Sequence, residues 1–405
     1  MLLWNIKESL KLSNYKRDKS IVLFGAWFGN RFADNPRYLY QYLSDNKEQL
    51  GLTHVVWVTR NEFVQKEILK LGYECYLMNT AESVYFHKKA GFHFLCNESN
   101  DNLLASESDL LCRYSWGAIK INLWHGTVGI KGLGFTSNEF RKLEFEHRIL
   151  AKIKKFEHTA AFPRKYLCSL GGWGDQFFIT TTDYLRLEDQ KFNLLKDNRF
   201  IYSGFPRNCE NKRLTNAEEK IVDILPPKGL RILYAPTFRE SGNGYFPPLE
   251  SEQFISWLRD NPNIIWIEKR HSVDVLQAEA NSFGSNIVKV DSGFDISILI
   301  EYSDIIITDY SSVSHDALYH MIPVIYYVPD LEGYATSDRG FMQKPEEFMI
   351  GPKAENIDKL IKLIETGIDN LERLYSANYK DAWIKIWGKS KEINEIWNDI
   401  LNAVN

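Results

Sequence analysis

Short apolar runs recur along this chain, and most are separated by stretches of about ten residues whose apolar positions have helical spacing. This alternation dictates βαβ units, because parallel neighbours need a crossover and a helix both supplies it and covers the sheet. In the first half, 20–25 and 53–59 read as strands on either side of a helical stretch at 36–50, which has proline near its first turn. A helix at 62–71, strands at 73–79 and 91–97 around a helix at 80–90, and a strand at 120–126 follow. The second half repeats the grammar. Thr215-Asn216-Ala217-Glu218 is a capping box. Strands are expected at 231–237, 263–271, 287–290, 304–308 and 323–328, with helices at 251–259, 295–302 and 312–321 between them. From residue 354 onward apolar residues recur every three or four positions, as in helices.

A chain of 405 residues suits two domains. The expected division is an N-terminal Rossmann-like domain over 1–190, a second such domain over 191–375, and a C-terminal helix over 376–405 that packs back on the first domain. The five cysteines form no C-x-x-C pair and no metal spacing, as in reduced proteins of the cytosol. A net charge of -4 speaks against a nucleic-acid partner. No apolar run approaches the ~20 residues of a membrane span, and the start turns polar too soon for a secretory signal.

Two strand ends carry the chemistry. In Ile121-Asn122-Leu123-Trp124-His125-Gly126-Thr127 an apolar strand stops at a histidine. Ligands of open α/β sheets bind beyond the carboxyl ends of strands, so His125 is placed as a general base, with Gly126 allowing close approach and Thr127 in support. A core histidine bonded to backbone is the alternative. In Asp304-Ile305-Ile306-Ile307-Thr308-Asp309-Tyr310-Ser311-Ser312-Val313 a strand hands over to a helix through hydroxyls. Thr308, Ser311 and Ser312 could cradle a phosphate at that helix start or simply cap it, and Asp309 could cap the helix or orient a hydroxyl. His271, beside Lys269 and Arg270, either suits a diphosphate or is a packed or surface residue. Arg239 and Arg207 stand just past strand or turn positions, where each is either a ligand or a surface charge.

The segment 136–172 is different in composition. Arg141, Lys142, Arg148, Lys152, Lys154 and Lys155 accompany a partial apolar stripe of Leu143, Ile149, Leu150 and Ile153. Such a segment either contacts an anionic membrane or a polyanionic acceptor, or is a solvated helix face.

In order along the chain, Asn35-Pro36-Arg37-Tyr38, Trp124-His125-Gly126-Thr127, Ser203-Gly204-Phe205-Pro206-Arg207-Asn208, Tyr234-Ala235-Pro236-Thr237-Phe238-Arg239, Lys269-Arg270-His271, Thr308-Asp309-Tyr310-Ser311-Ser312-Val313 and Pro329-Asp330-Leu331-Glu332-Gly333-Tyr334 resemble the CDP-glycerol glycerophosphotransferase family. The resemblance implies a GT-B fold: two Rossmann-like parallel-sheet domains facing a cleft, with C-terminal helices crossing back. It implies transfer of glycerol phosphate from CDP-glycerol to a hydroxyl of a lipid-linked or polyol-phosphate acceptor, with release of CMP, in synthesis of teichoic-acid-like or capsular polymers. His125 falls on the family's base and His271 on its second essential histidine. Arg239, Thr308, Ser311 and Ser312 fall on donor-phosphate positions. The implied location is cytoplasmic, peripheral on the inner face of the membrane. The residues require no cofactor, and Mg2+ is compatible with the chemistry.

Three departures stand out: Val128-Gly129 where the family has proline, Ser314-His315 where it has an aromatic pair, and Cys209 where it has Asp. The rival readings are a CDP-ribitol-dependent transferase, a GT-B nucleotide-sugar glycosyltransferase, and a membrane-surface protein that binds polyanions without catalysis.

Overall fold

The computed structural model describes residues 16–97, 109–115, 117–132, 136–152, 177–193, 196–209, 212–226, 228–237, 246–269, 286–290, 293–337 and 340–404. Two fully parallel sheets form its frame. The first contains β1 (Asp18–Phe24), β2 (His54–Thr59), β3 (Glu74–Leu77), β4 (Ala90–Leu95), β5 (Ile119–Asn122), β6 (Phe177–Thr180) and β7 (Phe200–Tyr202), in the order β3-β2-β1-β4-β5-β6-β7. The second contains β8 (Leu230–Tyr234), β9 (Ile264–Lys269), β10 (Ile287–Val290), β11 (Ile305–Thr308), β12 (Val324–Tyr327) and β13 (Lys353–Ala354), in the order β10-β9-β8-β11-β12-β13. Helices cover both faces, so β4, β9 and β11 are buried along their whole length and are mostly apolar, the polar residues being His93 in β4, Glu268 and Lys269 at the end of β9 and Thr308 at the end of β11.

Each sheet reverses its strand order once, between β1 and β4 and between β8 and β11. At such a reversal the connections diverge to opposite sides and leave a crevice beyond the strand ends. The loops that follow β1, β4 and β5 open on one crevice; those that follow β8 and β11 open on the other.

Local signals hold where their chemistry is self-contained. Thr215 accepts from the Glu218 N–H while the Glu218 carboxylate accepts from the Thr215 N–H, completing the expected capping box of the helix Asn216–Ile224. The domain division differs from expectation. A boundary at 190 cuts the helix Asp183–Asn193, which is the crossover joining β6 to β7, and β7 still pairs with the first sheet at Phe200, Ile201 and Tyr202. The first domain therefore runs on to Tyr202.

The helices Tyr379–Trp387 and Ile393–Val404 return to the first domain, where Ile386, Trp387, Ile396, Trp397 and Ile400 join the core built on Phe92, Phe94, Ile201 and Phe205. On the way they grip the second domain as well: Trp383 and Trp387 donate their indole N–H groups to Tyr319 and His315 carbonyls.

Candidate active site between the two sheets

The turn after β5 is forced into shape by two asparagines. Asn122 Oδ1 accepts from the Trp124 N–H at 2.8 Å, and the Asn35 amide donates to the carbonyls of Leu123 at 2.8 Å and Trp124 at 3.1 Å. Trp124 adopts φ +51°, a left-handed conformation that a tryptophan holds only when its surroundings over-determine it. Trp27, Phe28 and Asp34, all on the β1 side of the same crevice, also have positive φ. Strain is thus concentrated around His125.

The His125 imidazole lies against Trp124 and Trp27, with ring centroids 4.4 Å and 5.1 Å away. Its Nδ1 stands 2.8 Å from the Cys96 carbonyl oxygen. A carbonyl can only accept, so Nδ1 carries the hydrogen and Nε2 carries the lone pair. That is the tautomer a general base needs, and the bond to a backbone carbonyl is equally the one a packed core histidine makes.

The strand-end loops of the two domains touch. A Cβ on Gly126 would overlap the Ser312 hydroxyl, and it would stand 3.2 Å from Ser312 Cβ and 3.7 Å from an Arg207 guanidinium nitrogen. A side chain there would require Ser312 to shift. One residue further, Thr127 Oγ1 is 2.5 Å from His315 Nδ1, and both side chains are buried. Burial pushes the His315 imidazole down to about 3, so it stays neutral; its Nε2 has no hydrogen-bond partner.

Arg207 is not a surface charge. Only 2% exposed, it donates to Asp34 at 2.7 Å, to the His125 carbonyl at 2.7 Å, and with both contacts of its other terminal nitrogen to the Asp316 carboxylate at 2.7 and 2.5 Å. Burial disfavours its charge, but Asp316 and Asp34 more than offset this and raise its pKa. Burial raises both carboxyls against the pull of Arg207, and Asp295 adds to the rise at Asp34. Arg207 therefore ties the His125 loop to the helix Val313–Tyr319, which begins at Ser312.

A second buried clamp lies beside it. Arg37 grips Glu218 of the second domain bidentately at 2.6 and 2.7 Å, and Tyr38 donates to Asp295 at 2.9 Å. Asp34, Arg37, Asp295, His315 and Asp316 were not singled out as site residues from sequence. The one available signal was the acidic residue just ahead of Asn35-Pro36-Arg37.

The hydroxyl cradle divides. Ser312 is the cap residue of its helix but makes no capping bond with its side chain, and Ser311 accepts from the Val313 N–H only at 3.4 Å. Thr308 departs from its expected place among the phosphate ligands: fully buried, it donates its hydroxyl to the Ala235 carbonyl at 2.6 Å and braces the ends of β8 and β11. Asp309 likewise turns inward and accepts from the Thr237 N–H at 2.8 Å and the Tyr310 N–H at 2.5 Å. Arg239, Arg270 and His271 lie outside the described residues.

The basic segment begins with the helix Asn138–Glu146. Arg141 donates to the Phe341 carbonyl at 3.2 Å across the domain boundary, which accounts for part of its charge by docking. Lys142 pairs with Glu146 at 3.9 Å in an exposed contact. Arg148 and Lys152 are described, Lys154 and Lys155 are not. Phe145 is 92% exposed and Ile149 76% exposed on this segment. Among the described residues no helix is long and apolar enough to cross a membrane, and no group of three or more His, Cys, Asp or Glu side chains could hold a metal ion.

The profile of the CDP-glycerol:poly(glycerophosphate) glycerophosphotransferase family matches residues 8–383. The chain is 24% identical over 361 residues to a teichoic acid poly(glycerol phosphate) polymerase of Bacillus spizizenii, covering 86% of this chain and 84% of that one. It is 23% identical over 388 residues to a teichoic acid glycerol-phosphate transferase of Staphylococcus aureus, covering 91% and 90%. The solved structure of the wall teichoic acid polymerase TagF superposes with a TM-score of 0.71 at 19% identity, covering 99% of this chain and 95% of that one, so the two share the GT-B-like fold. The chain belongs to the CDP-glycerol:poly(glycerophosphate) glycerophosphotransferase family, whose members are enzymes that transfer glycerol phosphate from CDP-glycerol.

Proposed function

We propose that His125 is the base of this transfer and that the Ser311-Ser312 tip receives the donor diphosphate. The acceptor hydroxyl attacks the β-phosphorus of CDP-glycerol. The new P–O bond forms as the bond from that phosphorus to the bridging oxygen breaks, CMP departs with the electron pair, and the hydroxyl proton passes to His125 Nε2. The observation that carries this reading is the His125 Nδ1 bond to the Cys96 carbonyl, which fixes the lone pair on the other nitrogen, in a loop that touches Ser312. Phosphoryl transfer depends on positioning and charge stabilisation, so a base and an anion seat held together by buried ion pairs suffice in kind. His271 and Arg239 are assigned to the donor diphosphate from their motifs.

The test is turnover of CDP-glycerol by His125→Ala. General-base help is typically worth ~10²–10⁴-fold, and the rate should fall by about that much. A parent-like rate would falsify the assignment. Running CDP-ribitol beside CDP-glycerol reads the donor alcohol.

The acceptor is a polyol-phosphate chain or its lipid-linked start, met at the inner face of the membrane. Exposed Phe145 and Ile149 beside Lys142, Arg148 and Lys152 support that location, since apolar side chains flanked by cations suit an anionic lipid surface. Flotation with vesicles containing anionic lipid should carry the parent protein, and Phe145→Ser with Ile149→Ser should remain behind. Equal flotation of both would remove this segment from the membrane contact.

A further inference from the structure

The peptide group that holds the His125 ring is itself held by a carboxylate. The Nδ1–H of His125 points to the carbonyl of Cys96, just past the end of β4. That carbonyl shares its peptide group with the Asn97 N–H, which donates to Asp109 Oδ2 at 2.9 Å. The same oxygen accepts from the Cys96 N–H at 2.8 Å, so two successive backbone N–H groups converge on it. The other oxygen accepts from the Phe28 N–H at 2.6 Å and the Asn97 side-chain amide at 2.9 Å. With both oxygens accepting, the bonding is that of an ionised carboxylate, and all four donors are uncharged. Asp109 is only 3% exposed, and its place is fixed from behind. The Leu111 N–H donates to His87 Nε2 at 2.9 Å, and Leu110 and Leu111 join the buried cluster of Ile21, Leu23 and Val56. Gly25 lets this segment approach the end of β1, since a Cβ there would overlap the Asp109 carbonyl oxygen.

Resting on the reading of His125 as the base, we infer that Asp109 is its positioning residue, acting through the Cys96–Asn97 peptide group. A peptide unit is conjugated from nitrogen to oxygen. An anion on its N–H therefore drives electron density to its carbonyl and strengthens the bond that the carbonyl accepts. The Nδ1–H is held in place, and the positive charge that arrives when Nε2 takes the acceptor proton is stabilised. A carboxylate does the same by direct contact in a nucleophile–base–acid triad. Asp109 itself takes no proton. Its Oδ2 and the imidazole Nδ1 are at most about 8 Å apart, the reach of two hydrogen bonds and one peptide group. Other charges face the same loops: Arg207 with Asp34 and Asp316, Arg31 on Trp27, and Arg60 on the Phe28 carbonyl. All of them remain when Asp109 is changed.

The test is Asp109→Asn, which keeps the shape and removes the charge. With CDP-glycerol, kcat should fall about 10–100-fold, the usual worth of a group that orients a working histidine, while KM stays near the parent value because Asp109 acts behind the base. The acid limb of the kcat profile should move to lower pH by about one pH unit, since an imidazolium without its distant anion gives up its proton more readily. Nitrogen NMR of His125 follows the same titration without turnover and should show the same move. A fall in kcat with both midpoints unchanged would mean that Asp109 only ties the loops together, and no change in kcat or midpoints would mean that it does not act on His125; either result overturns the inference. Should Asp109→Asn not fold, the parent decides. Its Asn97 amide signal must move with the His125 midpoint, and an Asn97 amide indifferent to that titration refutes the coupling. If Asp109→Asn moves the His125 titration but the parent rate does not follow that titration, the coupling stands and the assignment of His125 as the base falls.

Discussion

Replacing Arg207 by methionine should destabilise the protein in a way that depends on pH. The guanidinium is the shared partner of Asp34 and Asp316, all three being buried where the domains meet. Methionine fills a comparable volume but leaves two carboxyls without their cation. Removing one member of a buried ionic group typically costs about 3–5 kcal/mol. For a domain of this size that is a fall in Tm on the order of 10 °C.

The sign with pH follows from the carboxyls. Burial already raises both pKa values in the parent, with Arg207 pulling the other way. A carboxyl with a raised folded pKa binds its proton at a pH where the unfolded chain has released it. Stability therefore falls as pH rises through the folded value, and the penalty is complete above it. Without Arg207 both values climb further, which widens the window upward. Asp295 acts on both carboxyls and Lys212 on Asp316, but they are present in parent and variant alike. Thermal unfolding of the two proteins at pH 8 and pH 5.5 should show a wide gap at the higher pH and a much narrower one at the lower. Adding Asp316→Asn to Arg207→Met should recover part of the loss at pH 8. A gap of equal size at both pH values would refute the reasoning, as would no gap at all.

Gly126→Ala should separate the two strand-end loops, because the new methyl overlaps Ser312. Overpacking of this kind costs about 1–3 kcal/mol, and the thermal midpoint should recover when Ser312→Gly is added; a double variant no better than the single would place the strain elsewhere. Thr127→Val takes the hydrogen-bond partner from His315 Nδ1, whose other nitrogen already lacks one, for a loss of about 1–3 kcal/mol. Thr127→Ser keeps the hydroxyl and should unfold at nearly the parent temperature, so equal midpoints for Val and Ser would dismiss the bond as a contributor.

The sheets were legible because their strands are long enough to show a pattern. β4 and β9 carry six consecutive buried residues each, and no helical or loop pattern competes with them. β7, with Phe200, Ile201 and Tyr202 alone, and the two-residue β13 are too short for periodicity to register, and without β7 the first domain ends too early. The capping box was legible for the opposite reason: its two partners are three residues apart and need nothing else.

The site was legible only on its strand-end side. His125, Gly126 and Ser312 announce themselves because a strand stops at each loop, but what holds them together spans the chain. Arg207 reaches Asp34 at a separation of 173 residues and Asp316 at 109, and no local pattern encodes such a pairing. The helix Asp34–Asp45 shows why the clue was masked. An acid, an amide and an arginine on a surface helix normally mark its solvent face. Here Asp34, Asn35, Arg37 and Gln41 are buried along with Tyr38, Leu39, Tyr40 and Leu43, because the helix packs on the first sheet with one side and on the second domain with the other. Its polar face is the domain interface. Thr308 errs in the converse sense: its position predicts an exposed hydroxyl at a strand end, and the neighbouring strand end at Ala235 takes that hydroxyl first. Polar residues at the end of a central strand therefore have two claimants, the ligand and the adjacent strand, and only the lateral order of strands, which sequence does not carry, decides between them.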